Sequence, residues 1–139
     1  MAADPTALRL DLRASGADRS AMLRLLASRY ADTALAFAPE GTLRGFALAK
    51  SAPGGAEVGP LVTEPGDEEA LAALWEGALA ALPAGPVEAG VPEANAASVR
   101  LLAARGFVVA FPAVAMYRGA AAHEADARAT GAVAGMEKG

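Results

Sequence analysis

The chain has 139 residues, of which 54% are hydrophobic and only 5% aromatic, and its formal net charge is −4. Because it has no cysteine and one histidine, a disulfide framework, a thiolate nucleophile and a multi-histidine metal site are excluded. The acidic balance argues against nucleic-acid binding, and charges, prolines or glycines interrupt every apolar run before it reaches the length of a membrane span. We therefore expect one cytoplasmic domain without a metal site.

The start of the chain predicts a strand followed by a helix. Leu8, Leu10 and Leu12 alternate with charged residues, and this period of two predicts a half-buried strand over residues 8–13. Residues 19–30 then carry apolar side chains at helical spacing, which predicts an amphipathic helix.

Three apolar runs separated by proline- and glycine-containing turns come next. They cover residues 33–38, 43–50 and 56–63 and predict an antiparallel meander. Pro60 lies inside the third run. Because proline cannot donate to a strand ladder, it indicates an edge or a bulge at that point.

The second half of the chain predicts two helices and three strands. Residues 67–82 form the longest apolar helical pattern, with acidic residues at its start. A short strand is predicted at 87–91, and Asn95 then suits the N-cap of a helix. Residues 107–111 and 114–118 predict the last two strands. The helix at 67–82 connects two strands as a crossover, so part of the sheet should be parallel.

The end of the chain is rich in alanine and glycine and has no periodicity. We predict a single domain over residues 1–118 and a tail over 119–139. His123 lies in this tail, where no neighbouring pattern orients its ring. Trp75 has the spacing of a core residue or of an anchor against a partner chain, which together with the apolar strands suggests a homodimer.

This order of elements resembles the GNAT superfamily of acyl-CoA-dependent N-acetyltransferases. The resemblance is carried by Asn95 opening a helix that ends in Gly106-Phe107, by Gly59-Pro60-Leu61-Val62, and by the run from Val91 to Asn95. In these motifs the chain is similar to the C-terminal domain of tandem-domain acetyltransferases. The resemblance implies an α+β fold with a mixed, mostly antiparallel sheet of six to seven strands flanked by about three helices.

The resemblance also implies acetyl-CoA as cofactor and an amine as acceptor. In the family, the sheet splays between the strands that correspond here to 56–63 and 87–91, and the pantetheine arm pairs with the exposed strand. The implied cofactor contacts are the backbone groups of Leu61, Val62 and Thr63. An N–H near the first two would polarise the thioester carbonyl, as an oxyanion hole does.

Two further positions have alternative interpretations. Asn95 corresponds to a family residue that contacts the cofactor, and it is equally suited to cap a helix. Gly66 lies where the family binds the pyrophosphate through backbone N–H groups at a helix N-terminus, and it is also an ordinary turn glycine.

The loop around Gly66 departs from the family pattern, which is basic and glycine-rich. Residues 63–70 contain one glycine, one proline and four carboxylates. Two unit charges 4 Å apart repel by about 1 kcal/mol in water and by ~4 kcal/mol at an effective dielectric of 20. These carboxylates therefore stabilise the helix start and oppose a bound pyrophosphate.

The general acid of the family is also missing. Many family members have a tyrosine seven residues after the asparagine, where this chain has Leu102, which cannot transfer a proton. Tyr30 and Tyr117 are the only tyrosines, and their patterns predict a core helix and a half-buried strand.

Glu57 and Glu88 are the candidate general bases. Glu57 starts the fourth predicted strand, and Glu88 lies in the fifth, on the face opposite to its apolar neighbours. A carboxylate in a central strand is expected to be paired or to face a cavity. Each therefore has a catalytic and a structural interpretation.

Three functions remain open from the sequence. The first is an N-acetyltransferase that transfers acetyl from acetyl-CoA to an amine. The second is a non-catalytic GNAT-like domain that serves as the acceptor-binding or dimerisation half of a tandem acetyltransferase. The third is a dimerisation or small-ligand module that uses the same cleft.

Overall fold

The computed structural model describes residues 4–114, 116 and 125–135. In chain order its helices and strands are α1 (Pro5–Ser15), α2 (Ser20–Arg29), β1 (Ala34–Phe37), β2 (Gly45–Ala52), β3 (Gly55–Thr63), α3 (Glu68–Ala81), β4 (Val87–Glu88), α4 (Ala96–Ala104) and β5 (Thr130–Ala132). This confirms the predicted α+β class with a mixed sheet. The described part has five strands and four α-helices, instead of six to seven strands and about three helices.

The five strands form one sheet in the order β1-β2-β3-β4, and β5 also pairs with β3. Strands β1, β2 and β3 are antiparallel neighbours, as the meander predicts. Strand β4 is parallel to β3, because α3 carries the chain back across the sheet between them. The expected parallel crossover is therefore confirmed.

A bulge interrupts the pairing of β2 with β3. Ala47 is opposite Leu61 and Ala49 is opposite Val58, so β3 has one more residue than β2 between these pairs. The extra residue falls at Gly59-Pro60, where the proline lacks a ladder donor. The bulge predicted at Pro60 is thus present.

Helices cover both faces of the sheet. One buried cluster joins α3 and α4 to alternate residues of β2 and β3, and the other joins α1 and α2 to Phe46 and Val62. Trp75 is completely buried in the first cluster, and its indole N–H donates to Ser98 Oγ at 2.8 Å. It is therefore a core residue and is not available to a partner chain. Among the described helices, none is both long and apolar enough to cross a bilayer.

The predicted strand at residues 8–13 is wrong, because these residues belong to helix α1. Asp4 caps the helix by accepting from Thr6 N, and Pro5 occupies the first turn, where its missing N–H costs nothing. The buried face consists of Ala7, Leu10, Asp11 and Ala14, at helical spacing. The alternating leucines do not share one buried face, since Leu12 is half exposed.

The end of the chain also differs from the prediction. Residues 107–114 form neither helix nor strand, so the strand predicted at 107–111 is wrong. Most of the strand predicted at 114–118 lies outside the described residues. The segment 119–139, predicted as a tail, contributes strand β5 to the sheet. Strand β4 is limited to Val87–Glu88.

A buried ion pair joins α1 to α2. Asp11 is almost fully buried, and Arg19 donates to both of its carboxylate oxygens, at 2.6 and 3.1 Å. A buried carboxylate that loses its cation keeps its desolvation cost, so removing one partner is strongly destabilising.

We therefore expect Arg19→Met to lower the free energy of unfolding by about 3 kcal/mol, measured by urea denaturation. Arg24→Met is the matched control, because Arg24 is an exposed arginine of α2, the helix that begins directly after Arg19. Its effect should stay within about 0.5 kcal/mol. Equal effects of the two substitutions would contradict the assigned role of the ion pair.

Candidate functional site

Strands β3 and β4 diverge and leave a V-shaped opening in the sheet. They pair only at their starts, where Ala56 is opposite Val87 and Glu57 is opposite Glu88. Beyond these pairs the two strands separate, and the ends of β3 and of the chain after β4 face the opening. A splayed parallel pair of this kind can admit an extended ligand, because its strand edges offer unpaired backbone groups.

The C-terminal segment, residues 125–135, fills this opening. Its strand β5 pairs with β3 through Leu61 opposite Ala132 and Val62 opposite Thr130. On the other side, Val133 N donates to Gly90 O at 2.8 Å. The segment therefore bridges the two arms of the V and satisfies the strand edges that the opening would expose.

Two glycines allow this close approach. A Cβ on Gly59 would lie 1.9 Å from the carbonyl oxygen of Val133, and a Cβ on Gly131 would lie 2.5 Å from a methyl of Leu61 and 2.6 Å from one of Leu71. A side chain at Gly59 would collide with the backbone of Val133 and push the C-terminal segment away from β3. A side chain at Gly131 would displace the ends of the Leu61 and Leu71 side chains. The opening is thus shaped to hold the chain's own backbone.

Asn95 fastens the C-terminal segment to helix α4. Its Oδ1 accepts from Ser98 N at 3.0 Å and so caps the helix, as predicted. Its Nδ2 donates to Ala127 O at 3.1 Å and to Thr130 O at 2.9 Å. One buried side chain therefore stabilises the helix start and the segment in the opening.

Ser98 and Lys50 hold the same segment further along. Ser98 Oγ donates to Gly131 O at 2.8 Å, and Lys50 Nζ donates to Ala134 O at 2.5 Å. Both side chains are buried, and Ala132 and Ala134 are fully buried beside them. Every hydrogen bond of this kind offsets the desolvation of a buried carbonyl.

The amide groups of the turn before α3 are also satisfied within the chain. Gly66 N donates to Arg128 O at 3.3 Å, Asp67 N to Glu64 O at 3.1 Å, and Ala70 N to Asp67 Oδ1 at 3.0 Å. Gly66 has a φ of +76°, and a Cβ added to it would meet no atom within 4 Å, as in an ordinary turn glycine. These are the N–H groups that a helix N-terminus would otherwise offer to an anion.

The sequence of this domain matches a known family. The model for the acetyltransferase (GNAT) domain matches residues 7–129, which is most of the chain. The chain belongs to the GNAT acetyltransferase family. Comparisons with curated proteins and with solved structures gave no match.

The five residues predicted to contact the cofactor lie together, next to the opening that β5 fills. Leu61, Val62 and Thr63 end β3 and are buried, with β2 on one side and β5 on the other. Gly66 and Asn95 lie at the adjacent helix starts. All five therefore surround one place, and four of them are in contact with the C-terminal segment.

The two predicted bases lie at the start of the V, away from the closed end. Glu57 forms an ion pair with Lys50 at 3.0 Å, and Glu88 is exposed at the short strand β4. Leu102 is buried in the core, and Tyr30 is half-buried with Arg29 over its ring. Tyr117 and His123 lie outside the described residues.

A small cleft separates the N-termini of α3 and α4. It has a volume of about 180 Å³, and its charged lining consists of Asp67, Glu68, Arg100 and Arg128. Arg100 is paired with Glu68 at 3.4 Å, and Arg128 with Asp126 at 2.9 Å. The cleft thus combines two helix N-termini with cations that the chain's own carboxylates neutralise in part.

The residues that sequence interpretation misses are Gly59, Gly131, Ser98 and Lys50. They act on the C-terminal segment, and a segment predicted as a tail gives no reason to look for partners. Pro60 beside Gly59 is the one local signal, since it marks the bulge of β3 at which Gly59 lies.

Arg44 stabilises the charged form of Asp67, the N-cap of α3. Its guanidinium donates to both carboxylate oxygens at 2.7 Å and also pairs with Glu69 at 2.9 Å. These bonds lower the pKa of Asp67, because the charged carboxylate is the better acceptor, and burial opposes them only in part.

We expect Asn95→Asp to release the C-terminal segment while keeping α4 capped. The carboxylate still accepts from Ser98 N, but it cannot donate to the carbonyls of Ala127 and Thr130. Amide hydrogen exchange of residues 130–132 should accelerate about tenfold or more, which corresponds to at least ~1.4 kcal/mol. Exchange in α4 should change much less. Unchanged exchange at residues 130–132 would contradict this role.

We expect stability to fall in acid through Asp67. Its pKa is lowered in the folded state, so its contribution is complete above the ordinary value of about 4 and is lost as the pH drops below it. Asp67→Asn keeps a capping oxygen and should reduce the loss of unfolding free energy between about pH 6 and pH 3. If Asp67→Asn loses as much unfolding free energy between these pH values as the wild type does, Asp67 is not the group responsible. Urea denaturation at each pH provides the measurement.

Proposed function

We propose that this GNAT domain is a non-catalytic half of a tandem-domain acetyltransferase, which supplies a binding or association surface to a catalytic domain. The observation that carries the proposal is the pairing of β5 with β3 at Leu61 and Val62. This edge is where the family resemblance puts the pantetheine arm of acetyl-CoA. With β5 in that position, the edge is already occupied by the chain's own backbone.

The residues around the opening do not fit acetyl-CoA. The N–H groups of Gly66, Asp67 and Ala70 already donate within the chain. Glu64, Glu68 and Glu69 lie around them, and each is ion-paired with an arginine, so Arg13, Arg100 and Arg44 are already engaged by the chain's own carboxylates. We therefore derive no acyl-transfer step through this site.

The proton-transfer groups support the same proposal. Leu102 replaces the family tyrosine and is buried, so it cannot protonate a leaving thiolate. Glu57 is engaged with Lys50, and Glu88 faces solvent. Neither carboxylate lies next to the closed end of the V, where an acetyl group would be transferred.

A second candidate function is acetyl transfer from acetyl-CoA to an amine acceptor. The cleft between the N-termini of α3 and α4 favours it, because Arg100 and Arg128 line that cleft and helix N-termini attract phosphate. This function requires β5 to leave the strand edge, because β5 pairs with β3 at Leu61 and Val62. Arg128 precedes β5 and would move with it, whereas Arg100 is fixed on α4.

Calorimetric titration with acetyl-CoA at low salt distinguishes the non-catalytic function from acetyl transfer. We expect no binding at millimolar cofactor, because the strand edge and the loop amides are occupied. Micromolar binding would contradict the proposal and favour the second function. In that case Arg100→Ala should weaken binding, because it removes a cation from the cleft, whereas the control Arg24→Ala should not.

A further inference from the structure

Three buried side chains hold the C-terminal segment in the V-shaped opening by its main chain. Asn95, Ser98 and Lys50 donate to four carbonyl oxygens of the segment, at residues 127, 130, 131 and 134. Strand β3 adds main-chain pairing at Leu61 and Val62. Because carbonyl groups are the same in every peptide, this set of donors suits any extended segment whose side chains fit the opening.

The three donors are held in place by other parts of the domain. Ser98 Oγ accepts from the indole N–H of Trp75 at 2.8 Å, and Asn95 Oδ1 accepts from Ser98 N at 3.0 Å. Lys50 Nζ forms an ion pair with the carboxylate of Glu57 at 3.0 Å. None of these contacts involves the C-terminal segment. The donors are therefore preorganised for a main chain, which lowers the entropic cost of binding one.

The opening selects for small side chains. The buried positions of the segment carry only alanine or glycine, namely Ala129, Gly131, Ala132, Ala134 and Gly135. A Cβ on Gly131 would lie 2.5 Å from a methyl of Leu61, so a larger residue there must displace that leucine. Thr130 and Val133 are only half-buried, which leaves room for larger side chains. The matching pattern is alanine, any residue, glycine, alanine, any residue, alanine.

Strand β5 forms only a short ladder in the opening. It has three residues, and its pairing with β3 shifts register between Leu61 and Val62. On the other side, Val133 N donates to Gly90 O of the chain after β4. The buried alanines of the segment remove less apolar surface from water than valine or leucine would. A second strand of the same pattern can therefore take the place of β5 by forming the same backbone bonds.

We propose that the V-shaped opening is a peptide-binding slot, in which an extended alanine- and glycine-rich segment of a partner protein replaces the C-terminal segment. The inference rests on the proposed function, since a domain that associates with a catalytic domain needs a surface that recognises another chain. The slot recognises its partner by main-chain carbonyls and by small side chains at the buried positions. The chain's own segment is the tethered occupant that the partner displaces.

The tether sets how strongly a partner segment must bind. A segment joined to its site by a short flexible linker competes at an effective concentration in the millimolar range. Removing the chain's own segment from the slot should therefore increase the affinity for a separate peptide by about tenfold or more. Binding to the intact chain should remain measurable, because the peptide and the segment form the same bonds.

Fluorescence anisotropy with a labelled peptide tests the slot on the full chain. The probe is Ala-Lys-Ala-Ser-Gly-Ala-Thr-Ala-Gly, which keeps the buried pattern of residues 127–135 and changes the more exposed positions. We expect saturable binding to the wild type below millimolar peptide. Ala132→Arg should bind the probe about tenfold more tightly or better, because Ala132 is fully buried and an arginine there expels the chain's own segment. A wild type that takes up no probe at millimolar concentration would overturn the proposal, since the segment is then a permanent strand of the fold.

A second peptide provides the matched control. It carries leucine in place of the alanines that align with Ala132 and Ala134, and we expect it to bind neither protein. Equal binding of the two peptides would overturn the proposal. Adding Asn95→Asp to Ala132→Arg should weaken probe binding by about tenfold, because the carboxylate cannot donate to the peptide carbonyls. Unchanged affinity of the double variant would likewise contradict the slot.

Two further measurements keep the outcome interpretable. Circular dichroism shows whether Ala132→Arg is folded, and if it is not, the two peptides on the wild type decide alone. The acetyl-CoA titration tests the proposed function separately. Failure of the probe to bind, together with no binding of acetyl-CoA, removes the slot and leaves the non-catalytic function standing.

Discussion

The close approach of β5 to β3 is the constraint on which the rest of this domain depends. It requires glycine at Gly59, because a Cβ there would lie 1.9 Å from the carbonyl oxygen of Val133. Gly131 assists it, because its missing Cβ leaves room for the side chains of Leu61 and Leu71. Once the strands are this close, the sheet edge at Leu61 is satisfied by backbone hydrogen bonds, and Leu71 of α3 packs directly over Gly131. Strands β3 and β4 still diverge to form the V-shaped opening, but the chain's own C-terminal segment fills it.

Asn95 and Gly66, two positions to which the family resemblance assigns cofactor contacts, hydrogen-bond the chain's own C-terminal segment. Asn95 caps α4 and donates to two carbonyls of the C-terminal segment, and Ser98 links the indole of Trp75 to a third carbonyl. The turn at Gly66 donates to the backbone of Arg128. Extended backbone can replace a pantetheine arm in this way because both present alternating hydrogen-bonding groups to a strand edge. The acidic turn adds an electrostatic reason, since carboxylates stabilise the start of α3 where a pyrophosphate would need positive surroundings.

Much of the central fold can be predicted because its signals are local. The apolar pattern of α3, the caps Asp67 and Asn95 and the bulge at Pro60 each follow from a few neighbouring residues. Helix α1 escapes prediction because its buried face contains only one large apolar residue, Leu10, whereas its alternating leucines have the pattern of a strand. The Asp4-Pro5 pair is the better signal. Strand β5 cannot be found from its own alanines and glycines, since its position depends on Asn95, Ser98 and Lys50, which are distant in sequence. Residues 107–114 show the opposite case, because their valines and phenylalanines favour a strand but the structure gives them none.

The most direct measurement of the central claim is the set of cross-strand nuclear Overhauser effects between β3 and β5 in isotopically labelled protein, recorded without and with saturating acetyl-CoA. If the C-terminal segment closes the opening, contacts between Leu61 and Ala132 and between Val62 and Thr130 should be present in both samples with unchanged intensity. Their absence from the protein alone, or their loss when acetyl-CoA is added, would contradict the account.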